Sequence, residues 1–465
     1  MKGREQKTSK DTWQQKDRAE PERYAAGQTF MRIIENNLTN VNLLEDGLLE
    51  QILSPSNLNQ AYKRVRSNKG KGGVDKMEVD ALKVYLVENR DELLQSIRDG
   101  KYRPNPVRRV EIPKANGKKR SLGIPTVVDR VFQQAITQVL SPIYEKQFSA
   151  HSYGFRPNKN AHQALKKCRD YITNGYTYSV DMDLQCFFDT VNHSKLVEVL
   201  SRTTKDGRVI SLIHKYLRAG VVNGNKFEET KLGVPQGSPL SPLLSNVLLN
   251  ELDKELQKRG HRFVRYADDL IILCKSKRGA ERTLRNIIPF IENKLFLKVN
   301  KEKTQVTYIR KTKFLGYSFY QYKGEGRLRA HPDSIHKMKQ HIKLLTSRSN
   351  GGGGAIRKGK LNQFIKGWVN YFKMADMKNL LRDIDMWYRR RLRMCIWKQW
   401  KHIRTKGRML IKLGLSKNQA WQYANTRKNY WRIANTDILR WTITNKRLSK
   451  AGYPSLLEFY MKVRT

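Results

Sequence analysis

The chain of 465 residues is long enough for two or three domains, and its 39% apolar content suits a globular fold. The sequence lacks a run of about twenty apolar residues, so we expect no membrane span and no membrane partner. Lys and Arg total 91 against 42 Asp and Glu, a formal net charge of +49, which favours a polyanionic partner such as nucleic acid over a merely well-solvated surface.

The N-terminal residues and the cysteines indicate the compartment. Residues 1–28 are polar and unpatterned, which predicts a flexible tail without the apolar core of a secretory signal. The four cysteines include no CxxC pair, as expected for reduced thiols in a cytoplasmic protein. They are Cys168, Cys186, Cys274 and Cys395.

Helical and strand patterns alternate in the first part of the chain. Apolar residues recur at helical spacing over about 29–101. Two short strand-like runs, 108–113 and 119–125, flank the turn residues Ala-Asn-Gly at 115–117, which predicts a β-hairpin. Helical spacing returns over 129–144.

Two further strand patterns carry acidic residues. TYSVDMDL at 177–184 is a short run that ends in acids, and FVRYADDLIILC at 263–274 predicts a hairpin with two acids near its turn. Strands interleaved with helices predict an α+β catalytic domain over residues 29–325.

The C-terminal part is helical and basic. SNGGGG at 349–354 predicts a loop, and 36 basic residues stand against 7 acidic ones from Lys311 onward. Seven of the eight tryptophans lie beyond residue 360, which favours a helical bundle with a basic surface suited to RNA. We predict a helical domain over 326–404 and a short basic DNA- or RNA-binding region over 405–465. The candidate RNA-binding residues are Arg389, Arg390, Arg391, Arg393 and Lys398.

Three acids stand where strand patterns end or turn: Asp183, Asp268 and Asp269. Clustered aspartates can hold two divalent ions for phosphoryl transfer, and Mg²⁺ prefers such oxygen ligands. Because neighbours on a regular strand point to opposite faces, we expect Asp268 to bridge the ions and Asp269 to contribute less. The backbone carbonyl of Leu184 is a further candidate ligand. The alternatives are a solvated acidic turn, and Asp181 in place of Asp183.

The YADD sequence at 266–269 resembles the YxDD box of reverse transcriptases, and the family's other blocks accompany it in the same order across about residues 105–320. They are IPKANGKKRSLGIP (112–125), HSYGFRPNKNAHQAL (151–165), VDMDLQCFFDTVNH (180–193), GVPQGSPLSPLLSNVLLNELD (233–253), LKVNKEKT (297–304) and FLGYSF (314–319). The GFRP block and the C-terminal LNQFIKGWVNYF resemble group II intron-encoded proteins more than retroviral enzymes.

This resemblance implies an α+β right-hand polymerase fold, with fingers and a palm containing an antiparallel sheet, followed by an all-helical thumb/maturase region. It implies an RNA-directed DNA polymerase in which Asp183, Asp268 and Asp269 are catalytic and hold two Mg²⁺ ions, with Mn²⁺ as a substitute. Asp181 then becomes a supporting acid, and Lys303 approaches the active site.

The resemblance also implies a nucleotide-binding set. Lys114 and Arg120 match the positions that clamp the triphosphate, where a guanidinium suits phosphate geometry. Phe188 is expected to press against the sugar C2′ and exclude a ribose hydroxyl, with a core phenylalanine as the alternative. Gln236 is expected to contact the incoming nucleotide, and Gly237 to let the backbone approach it closely.

The implied partners are group II intron RNA, an RNA template with a DNA primer, target DNA and dNTPs. Such a protein assists splicing and supports intron mobility by target-primed reverse transcription. The sequence shows no paired Cys and His cluster of an HNH nuclease, so we expect an HNH-lacking type in a bacterial, nucleoid-associated setting. The alternatives are a splicing maturase with little polymerase role, or a related reverse transcriptase recruited to a task such as phage defence.

Overall fold

The structure is a computed structural model that describes residues 47–113, 117, 119–348 and 353–464. The chain divides into two compact units, one ending at Ile309 and the other beginning at Arg310. The predicted boundary near residue 325 lies later than this division. The predicted tail at 1–28 falls outside the described residues.

The first unit mixes helices and strands, as the α+β prediction requires. Its helices are α1 Leu48–Leu53, α2 Pro55–Ser67, α3 Leu82–Arg98, α4 Val127–Glu145, α5 Ala161–Thr173, α6 Phe187–Thr190, α7 His193–Ser201, α8 Gly207–Leu217, α9 Ser241–Lys258 and α10 Lys277–Asn293. Its strands are β1 Val107–Pro113, β2 Lys119–Ile124, β3 Tyr178–Met182, β4 Val221–Asn223, β5 Lys226–Glu228, β6 Arg262–Tyr266, β7 Asp269–Cys274 and β8 Gln305–Tyr308.

Two four-stranded sheets organise this unit. One has the order β6-β7-β3-β8 and is antiparallel throughout, which confirms the predicted antiparallel sheet. The other has the order β2-β1-β4-β5 and contains the predicted β1–β2 hairpin, with Pro113 opposite Lys119. The parallel pairing of β1 with β4 was not predicted, because β4 is too short to leave a pattern in the sequence.

Residues of α4, α9 and the β6-β7-β3-β8 sheet belong to one cluster of buried side chains in the first unit. Ile136 on α4, Leu248 on α9, and Val180 and Ile272 on the sheet are all 0% exposed. Each such side chain contributes roughly 1.5–3 kcal/mol through burial. Helix α4 begins after Thr126, whose hydroxyl oxygen accepts the Asp129 N–H. This packing fixes the strands that carry the predicted carboxylates.

The second unit starts with a hairpin and continues with helices. Its elements are β9 Tyr317–Tyr322, β10 Glu325–Ala330, α11 Pro332–Leu345, α12 Gly354–Phe372, α13 Lys378–Gln399, α14 Ile403–Lys412, α15 Lys417–Ala424, α16 Tyr430–Ile433, α17 Asp437–Thr442, α18 Asn445–Lys450 and α19 Leu456–Arg464.

The predicted helical region therefore begins at Pro332, because residues 326–330 belong to β10. Helices α11 and α12 flank the predicted SNGGGG loop, of which residues 349–352 lie outside the described part. Every helix that the structure describes is too short or too polar to cross a bilayer.

Candidate active site

The predicted carboxylates come from two neighbouring antiparallel strands. The last registered pair of β3 and β7 is Met182 with Leu270. Asp183 follows Met182, and Asp269 precedes Leu270 as the first residue of β7. Asp183 and Asp269 therefore each lie one residue beyond this last pair, at the same end of the two strands. The structure thus brings the acids to one edge of the sheet.

The YADD sequence forms a tight hairpin turn between β6 and β7. Tyr266 pairs with Asp269, which leaves Ala267 and Asp268 as a two-residue turn. Ala267 has a φ of +58°, and a positive φ is typical of the turns that join twisted strands. Burial raises the pKa of the Tyr266 hydroxyl, and the negative charge of Asp269 adds to this. Since Tyr266 and Asp269 pair on either side of the turn, Asp268 lies at its tip.

A glycine from the GFRP block packs against this turn. A Cβ atom on Gly154 would lie 2.1 Å from the backbone nitrogen of Ala267, so only glycine fits. The side-chain amide of Asn246 on α9 donates to the Gly154 carbonyl at 2.9 Å. The GFRP block and the YADD turn are therefore one packed unit, although more than a hundred residues separate them in the chain.

A buried arginine supports the turn from within. Arg265 is 1% exposed, and its Nη1 donates to the Ala267 carbonyl at 3.0 Å and to the Asn246 side-chain oxygen at 2.9 Å. Its Nη2 pairs with Asp253, which is 0% exposed, at 2.5 Å. Sequence reasoning missed these positioning residues. The available signal was a charged residue inside the apolar run FVRYA, since a buried charge requires a partner.

Asp183 is held by the LKVNKEKT block. Its Oδ2 accepts from the side-chain amide of Asn300 at 2.9 Å and from the Lys303 ammonium at 3.3 Å. Its backbone N–H donates to the Thr304 hydroxyl at 3.2 Å. Leu184 forms an isolated antiparallel bridge with Val299 in the same block. The expected approach of Lys303 to the active site is thus present as an ion pair with Asp183.

The donor set suits a hard divalent cation. Three carboxylates and the Leu184 carbonyl offer the oxygen ligands that Mg²⁺ prefers, and the Asp183 side chain is 38% exposed. In the part of the chain that the structure describes, no three His, Cys, Asp or Glu side chains converge as a metal-binding group. The Asp183 carboxylate instead accepts a hydrogen bond from Asn300 and pairs with Lys303, whose positive charge offsets its own. Ligand chemistry and backbone placement therefore fit, while the side-chain rotamers do not converge.

Two predicted nucleotide-binding residues meet in the structure. The Nε of Arg120 on β2 donates to the side-chain oxygen of Gln236 at 2.8 Å. The Gly123 N–H donates to the Gln236 carbonyl at the same distance. Gly237 has a φ of +115°, and a Cβ atom there would lie 3.0 Å from the Gly123 carbonyl oxygen. Packing against β2 thus requires Gly237. Lys114 lies outside the described residues.

Phe188 lies at the margin of the core. It is half-buried, and its ring meets Phe187 edge to face with 5.2 Å between centroids. Its carbonyl accepts the Val234 N–H at 2.6 Å, and Gly233 next to it has a φ of +94°. The block that carries Asp183 and the block that carries Gln236 are therefore joined at Phe188. The partial exposure leaves room for a substrate contact beside the core packing.

The predicted RNA-binding arginines on α13 differ in their surroundings. Arg389 and Arg393 are 3% and 7% exposed, and Arg393 donates to the Ile443 carbonyl at 2.9 Å. Burial lowers the pKa of Arg393 to about 10, with Arg389 and Arg440 contributing. Both arginines are therefore buried inside the unit, and RNA binding by them stays a prediction.

The other predicted RNA-binding residues are half-exposed. The Arg390 guanidinium lies over the Trp431 ring at 3.8 Å and also donates to the Trp431 carbonyl. Arg391 donates to the Thr346 hydroxyl at 2.5 Å, at the end of α11. Lys398 lies near the end of α13. RNA binding by Arg390, Arg391 and Lys398 stays a prediction.

Comparison with protein families gives two matches along the chain. The family described as "Reverse transcriptase (RNA-dependent DNA polymerase)" matches residues 112–319. The family described as "Group II intron, maturase-specific domain" matches residues 335–413. The first range contains every catalytic and nucleotide-binding residue predicted above, and the second contains all of α13.

Individual relatives agree with these matches. The chain is 34% identical over 315 residues to "Protein YkfC" of Escherichia coli, covering 58% of this chain and 82% of YkfC. It is 32% identical over 355 residues to "Group II intron-encoded protein LtrA" of Lactococcus lactis, covering 62% of this chain. The matched part spans 58% of the length of LtrA.

A solved structure is also similar. Apo telomerase from Candida tropicalis is 18% identical with a TM-score of 0.37, covering 52% of this chain and 60% of that one.

Proposed function

The chain belongs to the family of reverse transcriptase/maturases encoded by group II introns, and we propose that it is an RNA-directed DNA polymerase that also binds its intron RNA. The observation that supports this proposal is that Asp183 follows the last β3–β7 pair and the Asp268-Asp269 turn leads into β7, so the three acids lie at the same end of these two strands. Acids from two separate strands are what a polymerase needs to neutralise a transferring phosphate.

The proposed mechanism assigns roles to this chain's own residues. Asp183, Asp268 and Asp269, with the Leu184 carbonyl, would hold two Mg²⁺ ions, with Mn²⁺ as a substitute. When bound, such ions activate the attacking 3′ oxygen and offset charge on the leaving pyrophosphate. Asn300 orients the Asp183 carboxylate through its hydrogen bond.

A second set of residues is assigned to the incoming nucleotide. Arg120 and Lys114 bind the triphosphate, and Gln236, hydrogen-bonded to Arg120, contacts the incoming nucleotide. Phe188 excludes a ribose hydroxyl at C2′. These assignments follow the family resemblance and are supported by the Arg120–Gln236 contact.

The basic second unit supports the intron-related part of the proposal. We assign binding of group II intron RNA and target DNA to it, with assistance to splicing and to intron mobility by target-primed synthesis. A bacterial, cytoplasmic and nucleoid-associated location agrees with the net charge of +49. The maturase-specific match at 335–413 also favours a second candidate, a splicing factor with little polymerase role.

Primer extension separates the two candidates. We expect the full chain to extend a DNA primer on an RNA template with dNTPs and Mg²⁺. Removal of divalent ions with EDTA should abolish synthesis, and added Mg²⁺ or Mn²⁺ should restore it. A chain that binds intron RNA tightly and promotes splicing, but adds no nucleotide with either ion, would establish the splicing factor instead.

A further inference from the structure

Phe155 reverses the usual pattern of burial within the GFRP block. Its neighbours Ser152, Tyr153 and Gly154 are buried, and Arg156 is 4% exposed. Phe155 itself is 46% exposed. Burial normally favours phenylalanine over serine or arginine, so the fold gains little from this ring at this position.

The backbone of Phe155 is also in a rarely used conformation. Its φ is +55°, in the left-handed region that costs free energy for any residue with a Cβ and is unusual for a bulky one. Glycine would adopt this φ without that cost. Exposure and strain together do not set Phe155 apart, since Phe296 shares both; what distinguishes Phe155 is that it adjoins Gly154, which packs against the YADD turn.

The position of Phe155 relates it to the catalytic turn. It directly follows Gly154, whose Cβ position would lie 2.1 Å from the Ala267 nitrogen. Successive Cα atoms are about 3.8 Å apart, so Phe155 begins within one residue of the contact with the YADD turn.

Cations act on two other residues of the same block, His151 and Tyr153. Burial lowers the pKa of His151, and Lys167, Arg262 and Lys159 contribute to this, while Asp253 opposes it. The Lys159 ammonium lies over the Tyr153 ring at 5.4 Å. Aromatic rings among cations are typical of surfaces that bind nucleic-acid strands through base or sugar faces and phosphates.

We propose that Phe155 is a binding residue for the primer strand, with its ring packed against a base or sugar face next to the growing 3′ end. This proposal rests on the polymerase function proposed above. The ring restrains the primer close to the carboxylate edge, so its loss weakens primer–template binding while leaving nucleotide binding unchanged.

The test compares four variants of the full chain. Phe155→Ala and Phe155→Gly remove the ring, and Phe155→Tyr keeps it. Phe296→Ala is the matched control, since Phe296 is 55% exposed with a φ of +55° in the same unit. Binding of a labelled DNA primer on an RNA template is measured without dNTPs. The KM for dNTPs and the melting temperature are measured separately.

Both ringless variants should raise the Kd for primer–template about tenfold, within the range of base–aromatic stacking. Phe155→Gly should also melt at a higher temperature, because it relieves the strained φ. Phe155→Tyr and Phe296→Ala should bind as the wild type does, with the same KM for dNTPs.

Three results would overturn the proposal. One is a Kd within twofold of wild type for both ringless variants. Another is an equal loss in Phe296→Ala, and the third is weak binding that follows a lower melting temperature. If the wild type extends primers and Phe155→Ala is unaffected, the primer contact fails while the polymerase function stands. If the wild type neither binds nor extends, both fail.

Discussion

The Arg120 side chain shows what residue identity alone can predict. The family's motif indicated Arg120 and Gln236 separately, and the hydrogen bond between them appears only in the fold, because β2 and the PQG loop are distant in the chain. The same holds for Arg265 and Asp253, whose pairing depends on the packing of β6 against α9. The sequence predicts the chemistry of a residue better than it predicts which residue will be its partner.

Replacing Arg120 tests the nucleotide contact. Arg120→Lys keeps the charge but loses the planar fork that binds phosphate through two hydrogen bonds. We expect the KM for dNTPs to rise about tenfold, with little change in primer–template Kd. Arg109→Lys is the control, because Arg109 lies on the adjacent strand and pairs with Glu228 at 2.9 Å. Equal KM values in the two variants would contradict the assignment.

Replacing Phe188 tests sugar selection. Phe188→Ala should reduce the preference for dNTPs over rNTPs by at least about tenfold, because a contact with C2′ acts through shape. The measurement is the ratio of kcat/KM for the two substrates. Phe187→Leu is the control, since Phe187 is buried and contacts the same ring. An unchanged ratio in Phe188→Ala would leave Phe188 with only its core packing.

At the scale of elements, the two hairpins were predictable from the sequence, whereas the short strands β4 and β5 and the packing of later helices over α13 were not. Alternating apolar residues and a turn predicted both β1–β2 and β6–β7, and both are present. The three-residue strands β4 and β5 left no comparable signal. The α13 arginines look like a solvated basic face, yet Arg393 bonds to the Ile443 carbonyl, because the later helices pack over α13.

The Arg265–Asp253 pair gives a prediction that separates stability from catalysis. Arg265→Met leaves a buried carboxylate unpaired and should lower the free energy of unfolding by about 3–5 kcal/mol. Arg265→Met combined with Asp253→Leu removes both charges and should recover most of that stability. Because the Ala267 carbonyl still lacks its donor, we expect kcat to stay low in the double variant.

Urea unfolding and single-turnover extension measure the two quantities. A double variant with wild-type stability and a wild-type rate would show that Arg265 has no positioning role at the YADD turn.

At the scale of the whole molecule, the sequence predicted the family and the order of its parts. The predicted regions 326–404 and 405–465 belong to one compact unit, which begins at Arg310. The contacts that join them, such as Arg390 with Trp431, come from residues far apart in the chain and leave no periodic pattern. The boundary between the two units could therefore be located only from the three-dimensional structure.

The proposed polymerase activity depends on Asp183, Asp268 and Asp269, at one end of strands β3 and β7. Asp268→Asn keeps the size of the side chain and removes its charge, so RNA binding by the basic surface should persist. We expect the extension rate to fall about 10³-fold or more, because the loss of a metal ligand removes several kcal/mol of charge stabilisation. Asp170→Asn is the control, since Asp170 is exposed on α5.

The most direct measurement is primer extension on an RNA template by Asp268→Asn, with template binding recorded on the same sample. The expected result is bound template with almost no added nucleotide, while Asp170→Asn extends normally. Extension by Asp268→Asn at the wild-type rate would contradict a catalytic role for Asp268.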